Sequence, residues 1–283
     1  MTLPSGRAPG RASVGAPGRA QASPRPLGGP TGVSAGRGAT GHQPAYVLHS
    51  HDWSESSLIL DLFTRESGRL AVAAKGAKRP FSQLRAVLLP LQRIQVHLSK
   101  PAKTDGGEVQ TLRGAEWAGG ATLPAGAAVF SGYYLNELLL KLLARHDPHP
   151  ALFDAYADAL AELAAGDATL RAFELRLLAE LGLLPDLSRV TPTQALVEPE
   201  RRYQLSPDAG VIPSKGEASL SGALLIHLQA ALLHGSPAAL RQACSADLPG
   251  LKAVLRGLLH YHLGHQPLRT RALMIDVQQL LER

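Results

Sequence analysis

The segment Ser57-Leu58-Ile59-Leu60-Asp61-Leu62-Phe63-Thr64 runs into Arg65-Glu66-Ser67-Gly68 and returns as Arg69-Leu70-Ala71-Val72-Ala73-Ala74. Side chains of a strand alternate between faces, so Leu58, Leu60 and Leu62 share one face and Leu70, Val72 and Ala74 answer them. Gly68 is free to take positive φ and turns the chain between the two runs. Upstream, Ala45-Tyr46-Val47-Leu48 is another short apolar run. Downstream, Ile94, Val96 and Leu98 alternate with Arg93, Gln95 and His97, and Asp105-Gly106-Gly107 turns into Glu108 to Leu112. Five short strands joined by tight turns predict a small antiparallel barrel, because closure removes exposed strand edges.

Beyond Glu116 the apolar period becomes helical. Leu135, Leu138, Leu139 and Leu142 form one stripe; Leu152, Tyr156, Leu160 and Leu163 a second; Leu170, Phe173, Leu177 and Leu181 a third, with Asp167 expected to cap it and Gly182 to end it. A hairpin is expected at Arg202–Leu205 and Gly210–Ile212, turned by Pro207-Asp208. Ser221 opens a further helix. Leu251, Val254, Leu255, Leu258 and Leu259 mark a strong one ending at Gly264, followed by Leu268 to Leu281. The fold class is therefore α+β: a barrel at 44–118, then a mainly helical region at 119–283 with a small hairpin insertion. Residues 1–43 are rich in Gly, Ala, Pro, Ser and Arg and have almost nothing apolar to bury, which predicts a disordered basic tail. Gly36 to Gly41 matches G-x-G-x-x-G by letter, but no strand precedes it and no helix follows, so a dinucleotide site is not expected. No apolar run approaches the roughly 20 residues of a membrane helix.

The net charge of +6 is unevenly spread. Five arginines (Arg7, Arg11, Arg19, Arg25, Arg37) precede Pro44 with no acid among them. Pro44 to Arg113 carries ten Lys/Arg against six Asp/Glu, and the remainder fourteen against seventeen. The barrel region is thus the basic part of the folded chain, which favours an anionic partner there.

Motifs for phosphate-loop hydrolysis, zinc proteolysis, serine-hydrolase chemistry or paired-cysteine sites are absent, so no enzyme and no cofactor are expected. Cys244 is the sole cysteine, which excludes an internal disulfide and suits a reducing cytoplasm. His260, His262 and His265 invite a metal reading, but His260 and His262 point to different faces of a helix and Gly264 intervenes before His265; no metal is expected. The informative cluster is Lys75-Gly76-Ala77-Lys78-Arg79-Pro80 with Ser82 and Arg85, four cations and no acid at the end of a strand. Lysine supplies point charges, arginine can fork onto phosphate, and Gly76 allows close backbone approach. Aromatic platforms for base stacking are few: Tyr46, Trp53, Phe81 and Phe63, the last expected in the core. Binding should therefore run mainly through the backbone, with strong salt dependence. A second basic group, Lys252, Arg256, Arg269 and Arg271, reads equally well as an exposed polar stripe.

Several stretches resemble the RecO family of bacterial recombination mediators. They are Val47-Leu48-His49-Ser50 with Trp53 to Leu58, Leu62 to Arg69, Ala74 to Arg79, Gly132-Tyr133-Tyr134-Leu135-Asn136-Glu137-Leu138, Leu170 to Leu175, and Leu263 to Arg271. Their order spans nearly everything after Pro44. The resemblance implies an OB-fold barrel followed by a helical domain, acting in DNA repair by the RecF pathway. Its implied partners are single- and double-stranded DNA, RecR, and the C-terminal tail of single-strand-binding protein (SSB). The implied activities are annealing of complementary strands and help in loading RecA onto SSB-coated DNA. Lys75 and Arg79 fall where the family carries DNA-contacting cations, and Arg171 where some members grip the SSB tail; an intrahelical pair with Glu174 is the alternative for Arg171. Some members bind zinc through four cysteines between the third helix and the hairpin; Pro185 to Arg201 contains none. His265-Gln266 replaces the more usual Gly-Lys, removing a cation. A different reading is an adaptor whose helices dock SSB tails while DNA binding is incidental.

Overall fold

Alternation along Arg93 to Leu98, buried at every second residue, shows how the barrel is built: one row of side chains fills the interior and the other faces outward. A computed structural model gives the structure and describes residues 42–273 except 100–108, 121–122, 215, 217–218, 235, 265–266 and 271, together with residue 279. The tail, the Gly36–Gly41 motif, the Asp105-Gly106-Gly107 turn, His265 and most of the expected Leu268–Leu281 segment lie outside the described residues. The strands are β1 (His42–Asp52), β2 (Leu58–Thr64) and β3 (Gly68–Ala74), a short helix α1 (Leu84–Val87), then β4 (Arg93–Leu98) and β5 (Val109–Trp117). They close as β1-β2-β3-β5-β4, antiparallel except for the parallel β3–β5 pair, which is the OB topology. Ala45, Val47, Leu60, Leu62, Leu70, Val72, Ile94 and Val96 fill the interior.

The helical body follows as α2 (Ala127–Leu142), α3 (Pro150–Ala161) and α4 (Asp167–Glu180). A small sheet comes next, β6 (Arg202–Ser206), β7 (Gly210–Pro213) and β8 (Leu220–Ser221), and then α5 (Gly222–Leu233), α6 (Pro237–Cys244) and α7 (Leu248–His262). The expected α+β architecture, hairpin included, is present. Ser221 opens α5 as expected, its hydroxyl accepting from the Leu224 amide at 3.3 Å. Asp167 does not cap α4. Gly166, at φ 107°, occupies the cap position and Asp167 lies in the first turn, where it reaches Lys252.

The body is built onto the outer face of the barrel. Tyr46 and Phe63, paired across β1 and β2, point outward and pack on Phe153 and Tyr156 of α3 with ring centroids 4.9–6.2 Å apart. Asn136 of α2 donates to the carbonyls of Leu48 and Val47 at 3.1 and 3.5 Å and accepts from the buried Tyr156 hydroxyl. Arg65, in the β2–β3 turn, forks onto Asp154 of α3 at 2.8 and 3.0 Å. Gly68 serves twice: it takes φ 69°, and a Cβ there would lie 2.0 Å from the Asp147 carbonyl oxygen of the α2–α3 loop. The turn glycine read from the sequence is also the place where barrel and body touch backbone to backbone.

Candidate nucleic-acid interface

The loop after β3 is a chain of tight turns that presents its cations outward. Backbone amides of Ala77, Arg79, Ser82 and Arg85 donate three residues back, to Ala74, Gly76, Arg79 and Ser82. Gly76 takes φ 73° to permit the first of these. Two anchors fix the loop: Ala77 is fully buried against the barrel core, and the Lys78 amide donates to Ser56 O at 3.0 Å. Lys75, Arg79 and Arg85 are exposed, and no acid among the described residues lies within ion-pair distance of them. Lys78 differs. Its ammonium meets Asp52 at 3.2 Å, an acid delivered from the end of β1 rather than from the loop itself. The four cations thus lie on the single β3–β4 connection, three open and one partnered.

Four aromatics were candidates for stacking on bases, and the structure divides them. Phe63 is in the core as expected. Tyr46 joins it there, 4% exposed, because α3 covers the outer face of the barrel at that point. Trp53 (57% exposed), just after β1, and Phe81 (96%), between Arg79 and Arg85, are both open to solvent. Apolar rings left in water beside cations are suited to base stacking.

The second basic group does not form one patch. Lys252 pairs with Asp167 at 3.3 Å. Arg256 is exposed on α7. Arg271 lies outside the described residues. Arg269 is drawn elsewhere, by Glu137 of α2: that carboxylate accepts from the Arg269 and Thr270 amides at 2.9 and 3.0 Å and from the Thr270 hydroxyl at 2.7 Å. Burial works against ionisation of Glu137, but these bonds and Lys141 hold its pKa below the ordinary value. A helical carboxylate therefore caps a segment more than 130 residues away in sequence.

Arg171 is not presented at a groove mouth. It is 7% exposed, and its guanidinium meets the fully buried Glu174 at 2.8 Å, which is the intrahelical alternative. Tyr134 donates to the same carboxylate at 2.6 Å. Desolvation outweighs the attraction of Arg171 and the Tyr134 bond, and raises the Glu174 pKa to about 7. Arg171 Nε and Glu174 Oε2 keep no hydrogen-bond partner among the described residues. Cys244 is buried nearby, its thiol pushed up to about 12 chiefly by burial and next by Glu174. Sequence reasoning passed over the linking roles of Tyr134, Asn136 and Glu137. Three polar residues within one apolar helix were the available signal, since buried polar groups need partners. The stretch ties α4, the barrel and the 267–270 segment to one helix.

These features define a class: an OB-barrel protein with a cation-bearing rim and a helical body grown from the barrel's outer wall. Residues 40–121 match the family model described as Recombination protein O N terminal, and 125–272 match Recombination protein O C terminal. The chain belongs to the RecO family. It is 51% identical over 246 residues to the DNA repair protein RecO of Albidiferax ferrireducens, covering 84% of this chain and 96% of that one. Its identity to the protein of the same name from Variovorax paradoxus is 51% over 255 residues (84% and 97%), and to that from a Polaromonas species 49% over 250 residues (85% and 98%).

Proposed function

We propose that the protein is a DNA-binding recombination mediator in DNA repair that makes and breaks no covalent bond. It anneals complementary strands and, with RecR, helps load RecA onto SSB-coated single strands, working in the cytoplasm at the nucleoid. In this reading residues 1–43 are a basic tail, 44–118 the DNA-binding barrel and 119–283 a body that docks partners. The observation that carries DNA contact is the exposure of Lys75, Arg79 and Arg85 on one anchored loop, which also presents Phe81 to solvent. Each phosphate neutralised there releases counterions, which gives affinity without sequence preference. Arg256, Arg269 and Arg271 would extend the contact. The roles in RecA loading and with RecR and SSB draw on the relatives' shared name and on the family resemblance.

Strand annealing on SSB-coated and naked DNA tests the reading. Lys75→Ala with Arg79→Ala should weaken binding to every single strand alike. It should also reduce the slope of log K against log salt by about 1.4, roughly 0.7 per lost contact on single strands. An unchanged slope overturns it. The adaptor alternative is favoured by one feature, an apolar hollow between α3, α4 and α6 that includes Ala159, Phe173 and Pro237 beside Arg176, Arg241 and Asp158. Arg171 does not line that hollow and is held by Glu174. If Arg241→Ala abolishes tail-peptide binding and naked-DNA annealing is intact, the two surfaces are separable.

A further inference from the structure

Strand register puts a second cationic surface beside the rim. On β1, His49 pairs with Asp61 and His51 with Ile59; on β3, Ala71 pairs with Asp61 and Ala73 with Ile59. Residues directly opposite share a face, so His49, His51 and Asp61 share the outward face of Ala71 and Ala73, and Lys75 continues that row one step past β3. With strands spaced about 4.8 Å apart, His51 and Lys75 are roughly 10–15 Å from one another. This row continues the face that carries Tyr46 and Phe63; Asp61, Ala71 and Ala73 within it are buried, and His49, His51 and Lys75 stand exposed at its margins.

The charges there are lopsided. Asp61 is the buried acid at the centre, with His51 Nε2 at 3.4 Å and Arg145 at 3.7 Å from its oxygens. The His49 and His51 rings meet edge to face at 4.3 Å. Arg269, carried in by the Glu137 cap, is exposed and within electrostatic reach of His49; Arg69 of β3 interacts with both Asp61 and Arg145. One acid faces three arginines and two imidazoles, and the salt bridges of Asp61 do not use His49 or Arg269. Burial, then His51 and Arg269, hold the His49 pKa below the ordinary value, against the pull of Asp61. An anion arriving beside His49 would oppose that suppression and favour the protonated ring.

We propose that this outer face is a second phosphate-binding surface, on which His49, His51 and Arg269 take the DNA strand as it runs off Lys75, and that binding there strengthens as the His49 imidazole protonates. The inference rests on the DNA-binding reading of the rim. It joins barrel and helical body into one track: α2, through Glu137, sets the position of an arginine on the strand's path. Imidazole changes charge between about pH 5 and 8, so the track responds to pH in that range.

The test is anisotropy of labelled oligothymidylate, whose bases do not titrate in this range, with the full chain at about pH 6 and pH 7.5. A short strand of about 8 nucleotides matches one barrel and a long one of about 30 reaches beyond it. The wild-type protein should bind the long strand about three- to ten-fold more tightly at the lower pH. His49→Gln with His51→Gln should remove most of that gain, and Arg269→Gln should weaken long-strand binding at both pH values; both should spare the short strand. Retention of the full pH gain by the double histidine variant, or unchanged long-strand affinity in Arg269→Gln, overturns the proposal. The exposed positions of all three make misfolding avoidable, and a thermal melt checks it. Lys75→Ala with Arg79→Ala should weaken both strands. If it weakens them and the track variants do nothing, this inference alone fails; if it weakens neither, the rim reading fails and takes the track with it.

Discussion

The barrel rim and the centre of the helical body hold the same kinds of side chain in opposite states. At the rim, Lys75, Arg79 and Arg85 stand in water on a loop fixed by Ala77 and by a bond to Ser56 O. In the body, Arg171 is buried on α4 and occupied by Glu174, itself sealed from solvent. What separates them is depth. A solvated cation is electrostatically available at little cost, whereas a buried one has lost its hydration and is held by whatever anion shares its site. The rim cations are therefore open to an approaching anion and Arg171 is not, although both fall on stretches that resemble the same family.

Removing Arg171 tests that division most severely. Arg171→Ala should destabilise the protein by about 3–5 kcal/mol in urea at pH 8, because an ionised Glu174 would be left buried without its cation. The loss should shrink at pH 6, where Glu174 can take up a proton. Single-strand affinity of the folded variant should equal that of the wild type. A variant as stable as the parent would show that Arg171 is not structural, and would return it to the partner surface.

The pH dependence follows with a definite sign. Glu174 titrates at about 7 in the folded chain against 4.5 as its ordinary value. Between those values the folded state binds more protons than the unfolded one, so the contribution of Glu174 to stability falls as pH rises through that window, by about 3 kcal/mol at most. Glu137 and Asp154 act in the opposite sense, below their ordinary values, where acid removes the bonds that hold their pKa down. The urea midpoint should be lower at pH 8 than at pH 5.5, and Glu174→Gln should flatten that trend. A trend that persists in Glu174→Gln assigns it to another group.

The same contrast explains what was legible in the sequence. Period-two alternation names the barrel interior because it is local to each strand. The parallel β3–β5 pair that closes the barrel is not local, and no alternation records it. Tyr46 and Trp53 are both aromatic residues near β1, and nothing in their neighbourhood says that α3 covers one and leaves the other open. Helix α6 was passed over, although Ser236 before Pro237 is a cap followed by a first-turn proline, and its hydroxyl does accept from Ala239. For Arg171 the signal was present: Leu170, Phe173 and Leu177 are joined by Leu175 and Leu178, so α4 is apolar around most of its circumference and leaves little polar face for a cation. The pairing of Lys78 with Asp52 was hidden for the reason the β3–β5 pair was. Register delivers Asp52 to the rim from 26 residues away.

Asp52 offers the smallest and most discriminating change. It is 80% exposed at its side chain against 29% for Lys78, and a pair so open to solvent is worth no more than about 1 kcal/mol. Asp52→Asn should therefore leave the thermal melt nearly unmoved. If the rim meets phosphates, the substitution removes a like charge from their path and frees Lys78. Single-strand affinity should rise by about two- to three-fold at low salt, with a salt slope steeper by up to about 0.7. A gain of affinity on loss of an acid is hard to obtain from a solvated loop that DNA never touches. A loss of affinity would carry a different lesson: the Asp52 pair would be holding Lys78 in place, and the rim would depend on an internal ion pair much as α4 does.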